Sequence, residues 1–200
     1  MGSFAKILGL SLLSVALLSG SAHARTFNGC KIKAKTNCHH KDLSGKNLRG
    51  AKLSGATLHH VKLRNADLRN ADLGRADLRE ADLRGADLRG ANLNNANLTN
   101  AILYKANLAG ANLAGATLTG ANLAGSNLAN ANLTGANLKY VDLTGANLTN
   151  TILYNAILYN VNLAGANLNG ANLNGAKLNG ATGCATVTPA GILYGAGCAN

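Results

Sequence analysis

Four of the five histidines fall in two pairs with one separation: His39 with His59 and His40 with His60, each 20 residues apart. Imidazole nitrogens ligate Zn or Cu at neutral pH, and the nearby Cys30 and Cys38 would add thiolates if reduced. The spacing matches no established metal motif, so the expectation is an exposed histidine ladder with no cofactor. A metal site at His39, His40, His59 and His60 is the competing reading. No Ser/His/Asp set, nucleophile elbow, phosphate loop or isolated carboxylate pair accompanies them, which points away from an enzyme.

These residues sit in a chain dominated by one period. Leucine occupies every fifth position from Leu43 to Leu178, 28 in succession, most often with Ala two places before, Asp or Asn one before, and Gly or Asn two after. Ala86–Gly90 (ADLRG) and Ala111–Gly115 (ANLAG) are typical copies. On a helix, leucines five apart would rotate about 140° each time and form no stripe, which excludes helix and heptad seam alike. One short extended stretch plus a corner does work. Ala and Leu share the inner face, their neighbours point out, and Gly or Asn makes the corner. Such a chain winds into a solenoid whose coils bury one another's core. With no Trp and only two Phe, that core is narrow and built from Leu and Ala.

The A-(D/N)-L-x-x frame resembles that of the pentapeptide repeat family, and the likeness covers about two-thirds of the chain. The resemblance implies an all-β, right-handed, four-sided β-helix in which four pentapeptides make one coil. On that basis the 28 repeats form about seven coils, roughly 34 Å tall at 4.8 Å per strand. Asp or Asn one place before each Leu fits a corner-supporting role, because short polar side chains bond nearby backbone. The activity best studied in the family is binding DNA gyrase by imitating the charge of DNA. It is not expected here, because this chain is basic, at +11, and carries no acidic stripe.

Residues 1–24 stand outside the repeat. Lys6, an apolar run from Ile7 to Leu18, and Ala22-His23-Ala24 read as a signal peptide cleaved before Arg25. The run is too short to span a membrane, so no transmembrane segment is expected in the mature chain. Export to the periplasm or cell exterior follows, or to the thylakoid lumen if the source is a cyanobacterium. Four cysteines in an oxidising compartment imply disulfides. Of three pairings, the local one, Cys30–Cys38 with Cys184–Cys198, is expected, since linking the two ends does not suit a rod. The organisation read from the sequence is residues 1–24 signal peptide, 25–40 N-terminal cap, 41–180 β-helix and 181–200 C-terminal cap. Thr36–His40 is a degenerate repeat with Cys38 at the leucine position, and Leu193 keeps the same phase.

A twenty-residue pitch turns the sequence into a surface map. Lys31, Lys33, Lys35, Lys41, Lys46, Arg49 and Lys52, with Arg25, make a basic tip offset only by Asp42. It suits an anionic envelope polymer or lipid headgroups. Without interleaved aromatics, nucleic acid is not expected. Residues 61–90 are nearly balanced, and their Asp and Arg two apart read as solvated charge ladders. Ile-Leu-Tyr triplets replace the polar frame at residues 102–104, 152–154 and 157–159, and recur at 192–194. Ile152, Tyr154, Ile157 and Tyr159, with Tyr140 one coil below, form an outward apolar patch suited to protein contact. Coverage by the chain's own tail, or a homodimer, would account for it. The function expected is a rigid, non-enzymatic scaffold of the cell envelope. A binder of anionic polymer or metal at the tip is the alternative.

Overall fold

The computed structural model describes residues 25–183, 186–188 and 191–193. The expected signal peptide, Cys184, Cys198 and the disulfide proposed between them lie outside the described residues. Two short hairpins flank the repeats. β1 (Thr26–Phe27) pairs antiparallel with β2 (Cys30–Lys31), and β3 (Thr186–Thr188) pairs with β4 (Gly191–Leu193). Among the described residues no helix is long and apolar enough to cross a membrane.

Between the hairpins the chain forms single parallel bridges, each joining residue n to residue n + 20, from Asn37↔Thr57 to Asn162↔Thr182. Bridges recur every five residues, so each coil has four sides. Each side is one bridge residue flanked by a turn, shorter than a regular strand, because a corner follows every fifth residue.

Backbone accounting explains the frame. In Ala111–Gly115, Ala111 N donates to Leu108 O across the turn (2.9 Å). Asn112 N donates to Ala91 O (2.9 Å), while Leu113 N and Gly115 N donate to Asn132 O (2.7 Å) and Thr134 O (2.9 Å). The fifth donor, Ala114 N, has no carbonyl within reach and is taken by Asn112 Oδ1 at 3.2 Å. Where Asn or Asp precedes the leucine, it is thus the acceptor that closes the repeat. The corner residue lies at positive φ, for example Gly115 at 66° and Asn95 at 54°, which Gly and Asn tolerate best.

The core is the expected column of leucines and alanines: Leu43 to Leu158 are at most 1 % exposed at every fifth position. Cys38 takes the leucine site at 1 % exposure and is disulfide-bonded to Cys30. At the other end Leu193, in phase with the repeat, lies in the β3–β4 hairpin. The sequence supplies Gly183 and Thr188 where core leucines are needed, and Leu193 pairs in the hairpin with Thr186 instead.

In the middle of the rod, Thr151 and Ser126 are buried polar residues at the inner alanine position. Thr151 donates its hydroxyl to Leu128 O at 2.9 Å. Ser126 is 1 % exposed, and among the described residues its Oγ is the buried side-chain polar atom without a partner. Ser126→Ala restores the residue found one coil away on either side, Ala106 and Ala146. It should raise stability by about 1 kcal/mol by removing an unpaired hydroxyl. A denaturant midpoint that rises at unchanged m-value would show this, and an unchanged or lower midpoint would refute it.

Candidate functional site

The surface follows the same pitch. In the charged band four arginines close on the Asp two residues before them: Arg69 on Asp67 (2.6 Å), Arg79 on Asp77 (2.7 Å), Arg84 on Asp82 (2.6 Å) and Arg89 on Asp87 (2.6 Å). Arg69 also reaches Asp87 one coil on at 3.5 Å, and Arg64 reaches Asp82 at 2.5 Å. The Arg84 guanidinium beside Asp82 holds its carboxyl at about 2, with Arg64 adding to this against the opposing effect of burial. The band is largely self-neutralising, as expected, and Arg69 and Arg89, which stack in one column, are both paired with Asp.

The basic tip differs. Arg25, Lys31, Lys33, Lys35, Lys41, Lys46, Arg49 and Lys52 enter no ion pair with any described residue. Four of them, Arg25, Lys33, Arg49 and Lys52, line an open cleft of about 350 Å³ floored by Ile32, Leu48 and Ala51. Composition alone did not show that Arg25 and Lys33, before the repeats, face Arg49 and Lys52 within them. The disulfide and the β1–β2 hairpin bring them together.

The histidines form the ladder that the pitch implies. His39 stacks on His59 (centroids 5.1 Å, planes 13° apart) and His40 on His60 (4.7 Å, 10°), with edge-to-face contacts between the two columns. Ring nitrogens of His40, His59 and His60 all lie within 4.8 Å of one another. Desolvation among these neighbours, then repulsion from His60, His39 and His59, holds His40 below the usual histidine range. His39 Nδ1 is hydrogen-bonded to Asn37 Oδ1, and His60 Nδ1 lies 3.4 Å from Glu80 Oε2. The sequence reading missed Glu80, although the twenty-residue pitch places it directly over His60. Cys30 and Cys38 are spent on their disulfide and supply no thiolate here.

The apolar residues are exposed as expected in two triplets: Ile102 (37 %), Tyr104 (41 %), Ile152 (41 %) and Tyr154 (46 %), with Tyr140 at 63 %. Ile157 and Tyr159 are half-buried, and the Lys139 ammonium stands 5.6 Å from the Tyr159 ring centre. Tyr140 N donates to Tyr159 O (2.9 Å), which makes them neighbours across coils. Each Ile-Leu-Tyr triplet also puts an aliphatic side chain where Asn or Asp would accept the fifth backbone N–H.

The Pentapeptide repeats model matches eight copies in this chain, over residues 34–70, 81–120, 116–155 and 153–182. The chain belongs to the pentapeptide repeat family. Members fold as right-handed quadrilateral β-helices and are generally non-catalytic structural or interaction proteins. A trypsin-treated form of QnrB1, a plasmid-mediated fluoroquinolone resistance protein, shares the fold at 18 % identity and a TM-score of 0.61, over 74 % of this chain and 73 % of that one. HetL, a pentapeptide repeat protein involved in heterocyst differentiation regulation in the cyanobacterium Nostoc, is 31 % identical over 80 % of this chain and 90 % of its own, with a TM-score of 0.31. A pentapeptide repeat protein of the Arabidopsis thaliana thylakoid lumen is 34 % identical over 54 % of this chain and 68 % of its own, with a TM-score of 0.28. No curated protein matches the chain in sequence.

Proposed function

We propose that this pentapeptide repeat protein is an exported, non-enzymatic scaffold of the cell envelope, a rod of seven coils closed at each end by a disulfide-bonded cap. Its contact surface is the patch of Tyr140, Ile152, Tyr154, Ile157 and Tyr159. The observation that carries this reading is the cost of building the patch. Ile152 and Ile157 forgo the side-chain acceptor that completes the repeat, and Tyr140 takes a corner at φ 59° where Gly or Asn fits better. The packing of the Leu- and Ala-rich core needs none of these substitutions. Aromatics beside exposed aliphatics are what protein contacts select. The partner tested is a second copy of the chain.

Light scattering coupled to size-exclusion chromatography distinguishes the outcomes. The wild-type protein should run as a dimer and Tyr154→Ser/Tyr159→Ser as a monomer. Monomers in both would overturn the patch as a self-contact. A dimer that survives the double substitution would move the interface elsewhere.

The four-cation cleft favours a second reading, capture of an anionic envelope polymer at the basic tip. Binding of a polyanion such as lipoteichoic acid that fades steeply as salt rises would support it, since exposed charges are screened within about 10 Å at 0.1 M. A role that imitates the charge of DNA requires an acidic face, and the excess charge of this rod is positive.

A further inference from the structure

One corner column carries more strain than its neighbours. Seven described residues at positive φ are neither Gly nor Asn, and four of them stack in one column: His40, His60, Glu80 and Tyr140. Elsewhere the same column uses Asn100, Gly120, Asn160 and Gly180, which adopt this backbone at lower cost. Two histidines one above the other at such corners therefore carry a cost that the core does not require. Ring stacking at 4.7 Å adds to it, because protonated imidazoles that close repel one another. Residues chosen only for solubility have no reason to converge.

Beyond the scaffold reading, we propose that His40, His59 and His60 form a binding site for a late divalent transition-metal ion, Zn²⁺ or Cu²⁺. Their ligand nitrogens lie within 4.8 Å of one another, and the side chains are exposed or half-buried. A tetrahedral ion with metal–nitrogen bonds of about 2.0–2.1 Å draws its donors to about 3.4 Å apart. Rotation about χ1 and χ2 of exposed imidazoles covers that difference without moving the backbone.

Glu80 prepares the site from one coil further on. Its carboxylate stands 3.4 Å from His60 Nδ1, close enough to accept a hydrogen bond from that nitrogen once the ring turns and so to leave Nε2 free for the metal. This is the outer arrangement that orients metal-binding imidazoles. It also brings a negative charge to an otherwise neutral donor set. Nitrogen donors select Zn²⁺ or Cu²⁺ over Mg²⁺ and Ca²⁺, which take oxygen. Because His40 belongs to one coil and His59 and His60 to the next, a bound ion would staple the first two coils beside the Cys30–Cys38 bridge.

The test is calorimetric titration of the tag-free chain with ZnCl₂ and, separately, CuCl₂, with MgCl₂ as control. His59→Thr and His40→Asn/His60→Asn take the residues that the same two columns use at Thr99, Asn100 and Asn160, so the coil is kept. We expect one Zn²⁺ or Cu²⁺ per chain, nitrogen coupling in the Cu²⁺ electron paramagnetic resonance spectrum, and no Mg²⁺ binding. Affinity should fall by more than about 10-fold in His59→Thr, vanish in the triple variant, and weaken by about 10–100-fold in Glu80→Gln. Wild-type protein that binds neither ion overturns the proposal. So does a folded triple variant that binds as tightly as wild type, or Mg²⁺ binding of equal strength.

Discussion

Leu113→Ala should cost about 3 kcal/mol of unfolding free energy, while Leu168→Ala should cost clearly less. Both leucines are at most 1 % exposed, and each substitution removes the same three carbons. The rod is narrow, so no other element can collapse into the void. Leu113 is packed between the coils carrying Leu93 and Leu133, and its loss weakens two intercoil interfaces at once. Leu168 stands near the end of the bridge ladder, which stops at Thr182. In a solenoid stabilised by nearest neighbours, a weak terminal coil opens without unfolding the rest. Urea unfolding followed by circular dichroism reads the difference. Leu113→Ala should lower the midpoint, and Leu168→Ala should instead broaden the foot of the transition. Equal shifts at the two sites would show that the rod unfolds as one unit and would refute nearest-neighbour behaviour.

Removing the disulfide is expected to be the next largest effect, confined to one end. Cys30 and Cys38 are separated by eight positions and close a short loop. Loop-closure entropy for that length is worth about 2.5 kcal/mol. The bridge pins the β1–β2 hairpin over the first coil, and both sulfurs are buried against the core. In Cys30→Ala/Cys38→Ala, amide exchange at Phe27, Lys31 and Ile32 should accelerate by roughly 50–100-fold. Amides near Leu113 should be unchanged. Exchange mass spectrometry with and without reductant gives the same comparison in the wild-type chain. If both regions accelerate together, the bridge stabilises the whole rod. If neither does, the cap is held by packing alone. The protection depends on an oxidising environment, which accords with the proposed export.

The repeat was legible because its period is covalent. Leucine every fifth residue excludes a helix, Asn or Asp before it anticipates the turn bond, and Gly or Asn after it anticipates the corner at positive φ. Each of these is a local demand, met within five residues of the chain. The exposed Ile-Leu-Tyr triplets and the paired histidines were also visible, once a coil of twenty residues converted sequence distance into spatial neighbours.

The coil closure itself decided the rest. Glu80 reaches His60 because a neighbour twenty residues away lies one coil along, a relation that no local pattern displays. Arg25 and Lys33 share a cleft with Arg49 and Lys52 because the disulfide and hairpin hold the N-terminal segment beside the first coil, outside the repeat. Ser126 was unremarkable as a small residue at an alanine position, and it became an unpaired buried hydroxyl only when its surroundings were fixed. Leu193 kept the spacing of the repeat, while its backbone pairs with Thr186 in the β3–β4 hairpin. The amino-acid sequence by itself determined the period, the core residues and the corner chemistry, because those are demands on dihedral angles and local hydrogen bonds. The tertiary structure alone decided that Arg25 and Lys33 share a cleft with Arg49 and Lys52, and how closely the ring nitrogens of His40, His59 and His60 approach. Those relations depend on the stacking of coils, which brings together residues that the chain keeps apart.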